Sequence, residues 1–153
     1  MSKIYRGVRI SGSGMAEIKV VQLIRFKNRS NLVPSGAPLR HCILHSPTGM
    51  EWGYGGSGPA DLALSILCDY FEEKPSPADL RTGNFSAFPF YQDFKWSYIA
   101  SIPENESWEI TEAEIDQWIT VYDARRAIVK FAEAGRVEWR GEKIASGRQG
   151  SSK

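Results

Sequence analysis

Four glycines within six residues, Gly53, Gly55, Gly56 and Gly58, stand directly before an apolar run that starts at Pro59, and no other stretch of the chain is as well suited to binding. A glycine backbone reaches positive φ and lets another group approach closely. Successive N–H groups in such a turn converge on an anion, and the N-terminus of the following helix adds unpaired donors and partial positive charge. The expected ligand is a phosphate or carboxylate held by Gly53, Tyr54, Gly55, Gly56, Ser57 and Gly58. A purely structural turn, with the glycines fitted against Trp52 and Tyr54, accounts for the same residues and stays open.

Three enzyme patterns fail at this loop. The spacing Gly53-x-Gly55-x-x-Gly58 is formally that of a dinucleotide fingerprint, but residues 45–52 form no apolar strand, and Glu72 and Glu73, about twenty residues on, end a helix. No Lys-Ser or Lys-Thr follows the glycines, which removes a Walker-type loop. Pro59 stands where a nucleophile elbow around Ser57 needs glycine, and Ser57 has no evident base.

The surrounding candidates are individually ambiguous. His45, beside Ser46-Pro47, suits a turn and also the rim of a pocket; Asp61, in the first turn of the helix, suits the helix dipole and also a ligand contact. Arg6, Arg9 and Lys95, with Arg40, could serve as counterions to a phosphate. His41, Cys42 and His45 have a metal-like spacing, but Pro38 and Pro47 oppose a helix there, so neither a metal nor a cofactor is expected. Phe85, Phe88, Phe90, Tyr91, Trp96 and Tyr98 offer a stacking face for a base, or a core and its lid.

These residues must be positioned by a chain of 153 residues, 42% hydrophobic and 24% charged, enough for one domain with one core. The formal net charge of +1 excludes overall polyelectrolyte character, so nucleic acid is a disfavoured partner. Only Cys42 and Cys68 occur, no secretory signal is evident, and no apolar run approaches the roughly 20 residues that span a bilayer. Two free thiols, a cytoplasmic location and no membrane partner follow as expectations.

Residues 4–10 read as a first strand, with Ile4, Val8 and Ile10 on one parity, and Ser11 to Gly14 as a turn. Met15 to Phe26 reads as a second strand whose change of phase suggests a bulge or a strand buried on both faces, paired with the first as a hairpin. Residues 27–38 read as loop with at most a short extended piece at Leu32-Val33, and 39–44 as a short strand. The first helix is expected from Pro59, with Asp61, Ser65, Asp69 and Glu72 as a narrow polar edge. Residues 78–93 carry no clear pattern, while Phe94, Trp96, Tyr98, Ala100 and Ile102 alternate as a strand. Thr111-Glu-Ala-Glu114 announces a second helix by a capping box, flanked by Ile110 and Ile115 as a staple. Its apolar face runs through Trp118, Ile119, Tyr122, Ile128 and Val129 to a glycine stop at Gly135, and Arg125, Arg126 and Lys130 take the exposed side. The element order predicts an α+β fold, a small antiparallel sheet packed against two main helices. The domain boundaries expected are 1–134 for this domain and 135–153 for a flexible basic tail.

Residues 45–64, His-Ser-Pro-Thr-Gly-Met-Glu-Trp-Gly-Tyr-Gly-Gly-Ser-Gly-Pro-Ala-Asp-Leu-Ala-Leu, resemble an uncharacterised domain family of bacteria and their phages. That family is similar also around Phe94-Lys95-Trp96 and Trp108-Glu-Ile-Thr111, so the resemblance spans roughly 3–120. By size and element order the chain also resembles the phage anti-Thoeris proteins, which sequester signals of the cyclic ADP-ribose type without cleaving them. That second resemblance transfers no ligand residue. Together these readings predict a noncatalytic protein that binds a small anionic or nucleotide ligand, with a signal-sequestering sponge as the narrower form. The alternatives are a small hydrolase using His45 and Asp61, and an interaction module contacting protein or nucleic acid through the 136–153 tail. A homo-oligomer, in which a second subunit completes the pocket, remains open.

Overall fold

The computed structural model describes the backbone of residues 2–26, 29–32 and 36–146, and side chains within these outside 22–32 and 136–146. The chain is α+β. Strands β1 (Ser2–Arg9), β2 (Ala16–Phe26), β3 (Arg29–Leu32), β4 (Ala37–Pro38) and β5 (Trp108–Thr111) make one sheet in the order β3-β2-β1-β5, with β4 also pairing β2. Every pairing is antiparallel. The helices are α1 (Ser57–Tyr70), α2 (Pro77–Thr82), α3 (Tyr91–Phe94) and α4 (Glu112–Ser146), and a π-helical turn, Lys95–Ile99, follows α3 directly. The chain divides into two compact units, residues 1–115 and 116–153.

The predicted hairpin forms, turning at Ser11 to Ser13. Its register runs unbroken from Ser2↔Leu23 to Arg9↔Ala16, so the phase change in β2 is not a bulge. The inward parity of β1 is that of Tyr5 and Gly7, which are buried, while Val8 and Ile10 on the more apolar parity are exposed. Opposite residues of antiparallel strands share a face, and Gly7 meets Ile18 and Trp108 while Tyr5 meets Ile110, all of them buried. Gly7 is required there, because a Cβ would lie 2.2 Å from the Trp108 indole nitrogen. The pairing partners, not the alternation of β1 alone, decide which face is inside.

α1 starts two residues before Pro59 and carries the core. Eleven consecutive residues, Gly58 to Cys68, are buried. Leu62, Leu64, Ile66 and Leu67 are fully so, each stabilising the fold by about 1.5–3 kcal/mol. The expected polar edge does not face water: Asp61 and Ser65 are buried too.

Four further expectations are corrected. Residues 29–32, expected within a loop, form β3. Of residues 39–44, expected as a strand, Leu39 donates its N–H to the Ile18 carbonyl of β2 at 3.1 Å, and 40–44 lie along α1 without sheet pairing. The expected strand over 94–102 is α3 and the π turn, whose buried residues Tyr91, Phe94, Lys95 and Ile99 recur at helical spacing. α4 runs through Gly135 to Ser146 instead of stopping there. The Thr111 capping box is present: the Glu114 carboxylate accepts from the Thr111 N–H at 2.7 Å, and the Thr111 hydroxyl accepts from the Glu114 N–H at 3.2 Å. A second box, Ser76 with Asp79, starts α2 in the stretch that carried no clear pattern. The expected loop at 33–35 and the tail beyond 146 lie outside the described residues.

Candidate functional site

The glycine loop is gripped from the opposite side by the π turn. The Gly53 N–H donates to the Ile99 carbonyl at 3.2 Å, and the Lys95 ammonium donates to the Gly55 carbonyl at 3.2 Å. A π turn bonds each N–H five residues back, as Ala100 does to Lys95 at 2.9 Å, and the extra residue lets Lys95 turn inward while Trp96 stays out. Gly53 has a φ of +94°, and a Cβ there would meet the Ile102 carbonyl and the Glu104 backbone, both at 2.9 Å. A Cβ on Gly55 would strike the Trp96 ring, one on Gly56 the Tyr54 ring, and one on Gly58 the Glu51 side chain and Tyr54 hydroxyl. Thus Gly53 is required by its positive φ and by neighbouring backbone, while Gly55, Gly56 and Gly58 lie close against side chains.

α1 begins at this loop without a side-chain cap: Gly56 is the N-cap, and the first turn has no acidic residue except that Asp61 follows it. Ser57 is exposed and Gly58 buried. Their N–H groups belong to the free donors of the helix start, while Pro59 has none to offer. Lys95 is only 5% exposed, and its ammonium also lies 4.5 Å from the centre of the Trp96 ring. Among the described residues it forms no ion pair. Tyr54 and Trp96, which cover the loop, are 43% and 60% exposed.

The other predicted residues are distributed more widely. Arg9 reaches the loop's edge: it pairs with Glu51 at 2.5 Å, donates to the Glu104 carbonyl at 2.8 Å and lies 4.0 Å over the buried Trp52 ring. Arg6 pairs with Glu109, its neighbour across β1 and β5. His45 is exposed, its ring nitrogen 2.8 Å from the Tyr91 hydroxyl.

Asp61 serves the segment that precedes the loop. It is 0% exposed, and its carboxylate accepts the N–H groups of Leu44 at 3.2 Å, His45 at 2.9 Å and Ser46 at 2.9 Å. The His41 ring nitrogen lies 3.1 Å away. One turn on, the Ser65 hydroxyl accepts the Cys42 N–H at 2.9 Å; one turn further, Asp69 accepts the Tyr5 hydroxyl at 2.9 Å and pairs with Lys3 at 3.2 Å. Burial and the Asp69 charge push the Tyr5 phenol far above its ordinary value. Asp61, Ser65 and Asp69 thus form one polar row on which the 41–46 segment and β1 are hung.

Sequence reasoning missed Glu51 and Glu104 beside the loop; it named Trp96 as a stacking candidate without placing it on the loop, and it saw the row as a narrow polar edge without the segment that the row holds. The spacing i, i+4, i+8 of three polar residues on an otherwise apolar helix was the available signal, since it marks a single line facing one neighbour. Among the described residues, no cluster of three or more His, Cys, Asp or Glu is placed to hold a metal ion, and no helix is long and apolar enough to cross a membrane.

The chain belongs to a family of unknown function, DUF6166, whose pattern matches residues 5–121. The matched span contains the glycine loop, the polar row and the π turn. No curated protein and no solved structure matches the chain.

Proposed function

We propose that this DUF6166 member is a noncatalytic binding protein for a small phosphorylated ligand of the nucleotide class, seated at the glycine loop. The observation that carries this reading is Lys95: a buried ammonium with one carbonyl and one ring as partners, next to a helix start with no side-chain cap. Burying a cation without a counter-charge is costly, and an anion placed between Lys95 and the first N–H groups of α1 would offset that cost. The half-exposed rings of Tyr54 and Trp96 supply stacking area beside it. Asp61 and His45 hold the preceding segment in place, and with their polar atoms so engaged they support a scaffold more than a hydrolytic pair. In its narrower form the reading is a sponge for a nucleotide immune signal, supported by the resemblance to the anti-Thoeris proteins.

Isothermal titration of the full-length chain against cyclic nucleotides, ADP-ribose derivatives including cyclic ADP-ribose, and inorganic phosphate tests the proposal. Saturable binding is expected, with the ligand recovered intact on denaturation. Lys95→Met should retain or gain stability, because an apolar isostere replaces a buried charge, yet weaken binding by at least tenfold, the effect of about 1.4 kcal/mol. A flat response to the whole panel, or a Lys95→Met protein that loses stability and keeps its affinity, overturns it.

A further inference from the structure

Cys42 and Cys68 meet at the far end of α1 from the glycine loop, in the wall of a cavity of about 340 Å³. Cys42 comes from the segment hung on the polar row and Cys68 from the helix itself, and both line the same cavity wall. The backbone fixes this meeting. The Cys42 N–H is bound by Ser65, which lies one helical turn before Cys68, so Cys42 is carried to the part of α1 that bears Cys68. They are 4% and 2% exposed, and the little surface that each residue shows faces the cavity. The remaining lining mixes cations, Lys3, Arg40 and Lys74, with carboxylates, among them Asp69 and Glu73.

The environment divides the labour between the two sulfurs. Cys42 is pulled down to about 7, first by its hydrogen bond with Cys68 and further by the Arg40 guanidinium, against the opposing effect of burial. Cys68 is pushed upward, first by that same hydrogen bond and then by burial. Cys42 is therefore the sulfur inclined toward the thiolate and Cys68 the one inclined to keep its proton, the arrangement of an attacking and a resolving cysteine.

We propose that Cys42 and Cys68 form a redox-active dithiol that reacts with a low-molecular-weight zwitterionic disulfide, such as oxidised glutathione, and closes to an intramolecular disulfide. The Cys42 thiolate attacks one sulfur of the small disulfide; its S–S bond breaks and the released thiolate takes a proton from solvent. Cys68 then gives up its proton and attacks the Cys42 sulfur of the mixed disulfide, expelling the second small thiolate, which is protonated in turn. The protein loses two electrons and two protons, and one small disulfide becomes two thiols. The upward push on Cys68 comes first from its partner sulfur and is relieved once that sulfur is covalently bound, which favours the second step. Mixed charge around the cavity suits a ligand that carries both an ammonium and carboxylates.

The test uses the folded full-length chain incubated with oxidised glutathione at pH 7, acid-quenched, then alkylated with iodoacetamide under denaturing conditions and weighed intact. The expected product carries no alkyl group and no glutathione, and its thermal midpoint is raised on the order of 10 °C by the added cross-link. Cys68→Ser should instead accumulate one glutathione on Cys42, whereas Cys42→Ser should react far more slowly. A wild-type chain that keeps two alkylatable thiols when native, yet loses them when unfolded in the same mixture, overturns the proposal. So does equal reactivity of the two single variants.

Discussion

Replacing Asp61 with asparagine changes almost no volume but disrupts the acceptor on which the 41–46 segment hangs. One carboxylate oxygen takes the N–H groups of Leu44 and Ser46 and faces the His41 ring; the other takes the N–H of His45. An asparagine can put its oxygen where the first group of partners is, but its NH₂ then faces the His45 N–H, and that bond is lost. A hydrogen bond to a charged group contributes about 1.5–3 kcal/mol, and those that survive fall from charge-assisted to neutral, about half as strong. The two effects place Asp61→Asn at about 3 kcal/mol. Asp61→Ala removes all four contacts, yet Ile43 and His45 are exposed, so the freed segment can rehydrate, and the cost should be about 4–5 kcal/mol instead of the full sum. Against a total stability of roughly 5–15 kcal/mol, either value is large. Urea unfolding at pH 7, with the slope checked for constancy, reads the energy, and hydrogen exchange at the amides of 44–46 reads the location. An Asp61→Asn protein within about 0.5 kcal/mol of wild type, with those amides still protected, refutes the reasoning.

Tyr5→Phe should cost about 1–2 kcal/mol at pH 7 through the lost bond to Asp69. Because folding raises the Tyr5 value, its contribution is complete below the unfolded value of 10.0 and fades as pH climbs past it, so urea unfolding should show the wild-type advantage shrinking by about 1.4 kcal/mol per pH unit there; a constant difference removes the idea. Gly53→Ala forces a φ of +94° on alanine against the Ile102 carbonyl, and should lower stability by about 2–4 kcal/mol in the same assay. Thr111→Ala breaks the α4 capping box and should lower the calorimetric midpoint by a few degrees, the effect of about 1 kcal/mol. Ser65→Ala releases the Cys42 N–H and should slow oxidation by glutathione disulfide more than Asp61→Asn does, although it costs less stability. If oxidation instead tracks lost stability, the thiols react through unfolding.

The parts of the fold that sequence disclosed were those specified locally. The 11–14 turn, the helix start beside Pro59 and the Thr111 capping box each depend on residues within a few positions; the turn and the box are where they were expected, and the helix starts within two residues of Pro59. The errors arose where a distant partner decides. Phe94, Trp96 and Tyr98 alternate, yet Phe94, Lys95 and Ile99 also fit a helix, and only the glycine loop, by accepting a bond from Lys95 and giving one to Ile99, selects the second. Likewise Asp61 and Ser65 look like a solvent edge until the 41–46 segment is laid against them. At the candidate site the glycines were legible and Lys95 was singled out, but the meeting of Lys95 with Gly55 across 40 residues was not.

Why a buried helix should carry Asp61 and Ser65 at all is a question of register. Apolar residues of similar volume would hold the 41–46 segment by contact area alone, often with equal or greater stability, but area is indifferent to a slip of one residue. A carboxylate with two oxygens can satisfy the amides of 44, 45 and 46 together, and a hydroxyl one turn on can satisfy that of Cys42, in only one alignment of the segment. That alignment does two things at once. It brings His45 to Tyr91, on the helix that leads into the π turn and so to Lys95, and it brings Cys42 to the cavity wall that Cys68 also lines, at the opposite end of α1. The polar row therefore trades some stability for a fixed position, and both the proposed anion site and the proposed dithiol depend on the position that it fixes.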